Sequence, residues 1–324
     1  MIDQNDFQMK QMVFFIPTDG DKLSFRNDNL IVKNKEDQIK HQITCFRIFI
    51  LFVVGDTTIT TGLISRANKF GFSICLMNRN MKIYKLIAAR MEGNTFLRKR
   101  QYQYAGMEIG QQIIQNKIQN QRNALMAIRH KDQLVKDAIK KLDQYINNLK
   151  ATSYDLQSIL GIEGSASRVY FSQIFNNVLW RGRKPRIKPD YVNASLDIGY
   201  TVLFNLIDAL VNVYGFDEYY GVLHRCFYMR KSLICDLMEP FRPIIDYTVR
   251  KGINLGQINE KDFKIDNKRY ILEWKNSKKY TTIFFDEILS QKEGIFLYIQ
   301  GYYRAFMKGK DYKEYPVFQY MEGK

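Results

Sequence analysis

An imidazole and two carboxylates fall within one short stretch, Tyr220 to Pro243, of an otherwise apolar and basic segment. His224 is one of three histidines in the chain. Asp236 follows twelve residues later and Glu239 three beyond it, an i, i+3 spacing that places both carboxylates on one face of a helix. On a single straight helix His224 and Glu239 would stand about 22 Å apart, so sharing a ligand requires a turn between them. Met229 to Ser232 is where the composition places that turn. A second reading of the same residues needs no chemistry: Asp236-x-x-Glu239 matches a capping box, Pro240 suits a first helical turn, and His224 is then a solvated side chain. Upstream, Glu163 sits in Gly161-Ile162-Glu163-Gly164-Ser165, flanked by small residues that allow two helices to approach with little bulk around the carboxylate. It is a further ligand candidate.

The elements that must position these groups change character along the chain. Up to about residue 92, short β-branched or aromatic runs (Met12 to Ile16, Leu30 to Val32, Cys45 to Val54, Phe72 to Met77, Lys82 to Ala88) are separated by Gly, Asp and Asn and predict strands. One helix interrupts them, capped at Thr57 or Thr58, running to Phe70 and closed by Gly71; Asn78-Arg79-Asn80 predicts a turn. Beyond Gly93 the pattern is helical. We therefore expect an α+β chain: a β-rich domain over 1–92 with one inserted helix, then an α-helical domain over 93–324, the boundary lying between about 90 and 96. Val135, Ile139, Leu142, Ile146 and Leu149 form one apolar helix stripe, which is packing and not chemistry. Gln111 to Asn123 is rich in Gln and Asn but carries Ile113, Ile114 and Ile118, predicting a polar helix. Tyr191 opens a long apolar helix through Val213, the expected core of the second domain.

With 324 residues and 46% hydrophobic content the chain can bury a large core. Its net charge of +16 points to a polyanionic partner, nucleic acid or an anionic surface. Thr95 to Lys150 holds eleven Lys or Arg against four acids, a pattern shared by solvated helix faces and phosphate tracks. Trp180 to Pro189 sets Arg181, Arg183, Lys184, Arg186 and Lys188 among Gly and Pro, as either a phosphate-binding loop or a flexible basic linker. Cys45, Cys75, Cys226 and Cys235 show neither C-x-x-C nor zinc spacing and read as buried, reduced thiols. Met1 to Lys10 is acidic and polar, unlike a secretory signal, and the apolar run Ile48 to Val54 is far below the roughly 18 residues of a membrane span, so a cytoplasmic protein without a membrane partner is expected. No G-x-x-x-x-G-K or G-x-G-x-x-G string supports a nucleotide motor or a dinucleotide enzyme.

Taken in order, IEGSASRVYF, then RGRKPRIKPDYVNASLDIGY, YGVLH and SLICDLMEPFRP over Gly161 to Pro243 resemble the CRISPR-associated adaptation integrase family, Cas1. Val53 to Thr60, followed by a helix and a strand, is similar to the family's amino-terminal β domain through looser motifs. One departure is the loop K-P-R-I-K-P-D, where many relatives carry paired prolines before the acid. The resemblance implies a metal-dependent DNA integrase, working as a homodimer with the small adaptation protein Cas2 on prespacer and repeat DNA. It places metal ligands on Glu163, His224 and Glu239, with Asp236 the accompanying acid.

The residue types suit that chemistry. One imidazole and two carboxylates favour Mg²⁺ or Mn²⁺ over zinc, leaving positions for water and phosphate. Such an ion polarises a phosphodiester for attack by the 3′-hydroxyl of an incoming DNA end, and water in place of that hydroxyl gives endonuclease activity. Arg225, Arg230, Lys231 and Arg242 lie close enough in sequence to hold surrounding phosphates, beside Arg181, Arg183, Lys184 and Arg186. Two other readings use part of this pattern. A stand-alone metal-dependent nuclease needs the same three ligands, and a non-catalytic DNA-binding scaffold needs only the basic faces.

Overall fold

The computed structural model describes residues 4–18, 20–78, 83–87, 94–178, 180, 182–224 and 228–321. The expected turn at 79–80, most of the expected boundary at 90–96, and Arg181, Arg225 and Cys226 lie outside them.

A four-stranded sheet forms around the most apolar run of the sequence. β5 (Ile48–Val54) is buried along its whole length and lies between β1 (Gln11–Phe15) and β6 (Ser73–Met77), parallel to both; β7 (Ile83–Ile87) adds antiparallel to β6. Full burial is what a continuous aliphatic run requires of a central strand. Alternate residues serve two cores. Leu51, Val53 and Ile74 pack with Leu63 and Ala67 of α2 (Thr61–Phe70), while Ile50, Phe52, Val54, Cys75 and Met77 face the helices that follow. A second, antiparallel sheet holds β2 (Lys22–Arg26), β3 (Asn29–Lys33) and β4 (Ile39–Thr44).

Sequence periodicity does not reveal β2 and β4, because their residues are polar or half-exposed and give no apolar alternation. Cys45–Arg47 forms a 3₁₀ turn where the sequence suggested continuous strand. The helix cap is Thr60 rather than Thr57 or Thr58, its hydroxyl accepting from the Leu63 amide, and Gly71 closes the helix at φ +66° as expected. A short amino-terminal helix, α1 (Gln4–Met9), is additional to the expected one: its Phe7 stacks on Phe296, with centroids 4.2 Å apart.

The remaining chain is mostly helical: α3 (Thr95–Gln103), α4 (Glu108–Met126), α5 (Gln133–Ala151), α6 (Leu156–Ile174), α7 (Tyr191–Tyr214), α8 (Ser232–Met238), α9 (Arg242–Asn254), α10 (Ser277–Ser290) and α11 (Lys292–Lys308). A hairpin of β8 (Phe263–Asp266) and β9 (Arg269–Leu272) interrupts it. α5 carries the predicted stripe, with Val135, Leu142, Ile146 and Leu149 buried. α7 is long and apolar enough to cross a membrane by composition, yet 83% of its apolar window is buried inside the protein, as a core helix requires. Cys45 and Cys75 are buried as expected; burial pushes the Cys75 thiol up to about 12, whereas Cys235 is only half-buried.

Candidate active site

Three helical segments bring the site together. α6 carries Glu163 on its second turn; the 3₁₀ turn Glu239–Phe241, directly after α8, carries Glu239; α4 carries Lys117. Lys117 Nζ lies 2.5 Å from Glu163 Oε1 and 2.6 Å from Glu239 Oε2, while Arg242 Nε lies 2.9 Å from the same Glu239 oxygen. The Glu239 side chain is 4% exposed and that of Glu163 19%. Burial opposes ionisation of Glu239, but Arg242 and Lys117 outweigh it and hold the carboxyl down at about 2. Burial likewise lowers the Lys117 ammonium, and the two glutamates more than reverse this.

The glycines beside Glu163 act differently from the sequence expectation. A Cβ at Gly161 or Gly164 would meet nothing within 4 Å, so they do not admit a close helix; Gly164 instead lines an open groove. The groove measures about 2230 Å³ and, among the described residues, is bordered by nine Lys or Arg against four Asp or Glu, including Glu163, Glu239 and Lys117.

His224 is positioned by Asp236, and the capping-box reading does not hold. Asp236 lies inside α8, fully buried, and accepts hydrogen bonds from the backbone amides of Val222, Leu223 and His224 at 2.8, 3.0 and 3.0 Å. Its Oδ1 also lies 2.5 Å from His224 Nδ1. Gly221 permits this approach, since a Cβ there would fall 2.5 Å from Asp236 Oδ2 and 2.6 Å from the His224 carbonyl. The reversal of the chain falls where expected, with Met229 at φ +57° and α8 starting at Ser232.

The donor set fits a hard divalent cation. Nδ1 of His224 is committed to a carboxylate, the arrangement that fixes the ring and leaves Nε2 for a metal. Glu239 Oε2 is buried and is already neutralised by two cations, Lys117 Nζ and Arg242 Nε. Asp236, with its oxygens filled from within, positions the imidazole. Among the described residues no three His, Cys, Asp or Glu side chains are clustered as ligands: Glu163 and Glu239 meet through Lys117, and His224 stands close enough to help lower the Glu239 carboxyl. Taking up an ion therefore requires Lys117 Nζ to give way.

The basic residues fall into groups. Arg186 and Arg230 line the groove. Lys184 is exposed, and its backbone amide donates to Asn193. Arg183 pairs with Asp197 at 2.5 Å, Lys231 with the buried Asp208, and Arg242 with Glu239. The loop carrying Arg183 is thus anchored to α7 and is no flexible linker. Lys117 escaped sequence reasoning because it was counted among the cations of a polar helix. Its signal is a lone lysine in the phase of Ile113, Ile114 and Ile118. Lys188 of the basic loop borders the groove as well, and so do Arg168 and Arg269, which had no prior signal beyond charge.

Residues 14–285 match the family model described as CRISPR associated protein Cas1. The chain is 29% identical over 324 residues to "CRISPR-associated endonuclease Cas1 1" of Thermodesulfovibrio yellowstonii, covering 96% of this chain and 97% of that one. It is also 29% identical to "CRISPR-associated endonuclease Cas1 2" of Rhodospirillum rubrum, over 77% and 78% of the two chains. Among solved structures it resembles a CAS1 protein from Thermotoga maritima (TM-score 0.78, 19% identity, 96% and 100% of the chains). A chain of a Cas6-RT-Cas1–Cas2 complex superposes with a TM-score of 0.79 at 23% identity; 98% of this chain matches 36% of that longer one. A casposase bound to its integration product gives 0.73 at 19% identity, over 95% and 94%.

Proposed function

Because the chain belongs to the CRISPR-associated protein Cas1 family, we propose that it is a metal-dependent integrase of CRISPR adaptation with associated endonuclease activity. The 3′-hydroxyl of a short foreign duplex attacks a phosphorus of the repeat; the new P–O bond forms as the bond to the repeat's own 3′-oxygen breaks, releasing a 3′-hydroxyl there. With water as nucleophile the same displacement is hydrolysis. Glu163, Glu239 and Nε2 of His224 would hold Mg²⁺ or Mn²⁺, which supplies charge stabilisation at the reacting phosphate.

The protein's own groups do the rest. Asp236 fixes the imidazole tautomer by accepting at Nδ1. Lys117, freed from the carboxylates, and Arg242 provide cations at the base of the groove for the reacting phosphate. The cations around the rim hold the flanking strand by its phosphates, independent of sequence. The observation that carries this reading is the convergence of Glu163 and Glu239, 76 positions apart, on one buried cation at the base of a basic groove. Double-stranded prespacer and repeat DNA, a second copy of the chain and Cas2 are the proposed partners, in the cytoplasm.

The test is binding of Mn²⁺, followed by calorimetry. The parent should bind one equivalent, and Glu163→Gln and Glu239→Gln should each lose at least about the tenfold in affinity that losing even a supporting outer partner of a metal ligand costs. Binding unaffected by both changes would place the ion elsewhere.

A further inference from the structure

Tyr200 is buried on α7 and carries three interactions that the metal site does not explain. Its ring has two guanidinium groups over it, Arg183 at 5.2 Å and Arg242 at 4.8 Å from the centroid. Its hydroxyl donates to Asp246 Oδ1 on α9, and Asp246 is fully buried. Arg183 comes from the basic loop and Arg242 from the start of α9, so a single aromatic ring joins two segments 59 residues apart. All four residues border the groove.

Two like charges on one ring repel, and something must hold them there. Each has a carboxylate: Asp197 for Arg183, Glu239 for Arg242. The ring face adds cation–π attraction for both guanidinium groups. Asp246 hydrogen-bonds the hydroxyl and thereby fixes the ring. Both arginines retain surface toward the groove, 15% and 24% of their side chains. Their guanidinium carbons can be no farther apart than about 10 Å, the sum of the two centroid distances. Phosphates on one strand rise about 3.4 Å per nucleotide, so this separation falls within about three nucleotides.

We propose that Tyr200 is a positioning residue that presents Arg183 and Arg242 as paired receivers for neighbouring phosphates of one DNA strand, setting that strand across the base of the groove. The proposal rests on the integrase reading for the identity of the ligand. Its chemistry calls only for a polyphosphate strand of regular spacing. Asp246 serves the ring and does not touch DNA.

The experiment measures the salt dependence of binding to a labelled 30-base-pair duplex by fluorescence anisotropy, without divalent metal. Parent, Tyr200→Leu and Tyr200→Phe are compared after circular dichroism has confirmed folding. Tyr200→Leu removes the ring face, so the slope of log K against log salt should flatten by about 0.9 to 1.8, one to two phosphate contacts at about 0.9 each. Tyr200→Phe keeps the face and should restore the parent slope. If Tyr200→Leu does not fold, Tyr200→Met supplies an apolar side chain without a ring face and carries the same expectation. A slope for the ring-less variant within about 0.3 of the parent overturns the proposal, as does a Tyr200→Phe slope as flat as that of Tyr200→Leu. Because binding is measured without metal, a parent that binds with a normal slope but never joins DNA would refute the integrase reading and leave this one standing. A parent without salt-dependent binding would refute both.

Discussion

At the scale of single residues, the buried ion pairs are costly to dismantle and their pH dependence has a definite sign. Glu239 ionises at about 2 in the folded protein against an ordinary 4.5, so its stabilisation is complete above pH 4.5 and is lost as pH falls toward 2. Asp246 runs the other way. Burial raises it from 3.8 to about 6, the folded state therefore holds more protons than the unfolded between those values, and stability falls as pH rises through that window. Asp246→Asn should remove this fall, and urea midpoints across the same window would show it as a flattened profile; an unchanged profile would mean that Asp246 is not the group responsible. Glu239→Ala strands Lys117 and Arg242 beside one fewer carboxylate and should cost about 3 to 5 kcal/mol of stability, measurable by urea unfolding. A loss below about 1 kcal/mol would show the pairs to be solvent-screened. Glu163, His224, Asp236 and Glu239 were legible as residue types in ordered motifs. The division of labour among them was not, because a sequence gives no sign that Asp236 has its oxygens filled by three amides and an imidazole.

At the scale of elements, α4 explains why one polar helix serves both site and core. Its Gln and Asn residues were legible as helix, but the asparagines are removed from the solvent they seemed to suit. Asn116, Asn120 and Asn123 are buried and bond an extended carboxy-terminal segment: Asn116 exchanges hydrogen bonds with Phe318, Asn120 accepts from the Tyr320 amide and donates to Phe318, and Asn123 donates to the Tyr320 carbonyl. Sequence reasoning could not find this, since the partners lie about 200 residues away and are backbone groups. Asn120 also donates to the Pro240 carbonyl, next to Glu239. The carboxy-terminal segment thus braces the turn that holds the carboxylate, and Phe318 packs on Phe241 with centroids 4.6 Å apart. Asn120→Ala leaves buried backbone groups unpaired and should cost about 3 kcal/mol, whereas the same change at exposed Asn147 should cost less than about 0.5. Equal effects at the two positions would show that the buried ladder contributes nothing.

At the scale of the whole molecule, the β-rich start and helical remainder follow from the change of periodicity, and β5 from its unbroken apolar run. The edge strands β2 and β4 and the hairpin β8–β9 were not legible, since half-exposed strands obtain their stability from pairing and leave little pattern. The two halves share packing: one face of the central sheet belongs to the helical core, so a cut near residue 92 would expose Phe52 and Met77. In the β-rich half Ile39, Phe46 and Tyr84 are each exposed, at 48, 65 and 66%, and are the residues to test for the proposed contact with a second copy. Phe46→Ser should shift sedimentation at micromolar concentration from dimer to monomer, and a parent already monomeric while fully active would argue against any such dimer. The assembled protein is expected to place its basic groove on duplex DNA and its three proposed ligands at the reacting phosphate. Strand transfer tests this most directly, using a labelled short duplex, a plasmid carrying the repeat, and parent protein beside Glu239→Gln, each with Mn²⁺ or with a chelator. Joined product should form only with the parent and Mn²⁺, while Glu239→Gln still binds duplex. Joining that survives the chelator, or that Glu239→Gln performs at the parent's rate, would contradict it.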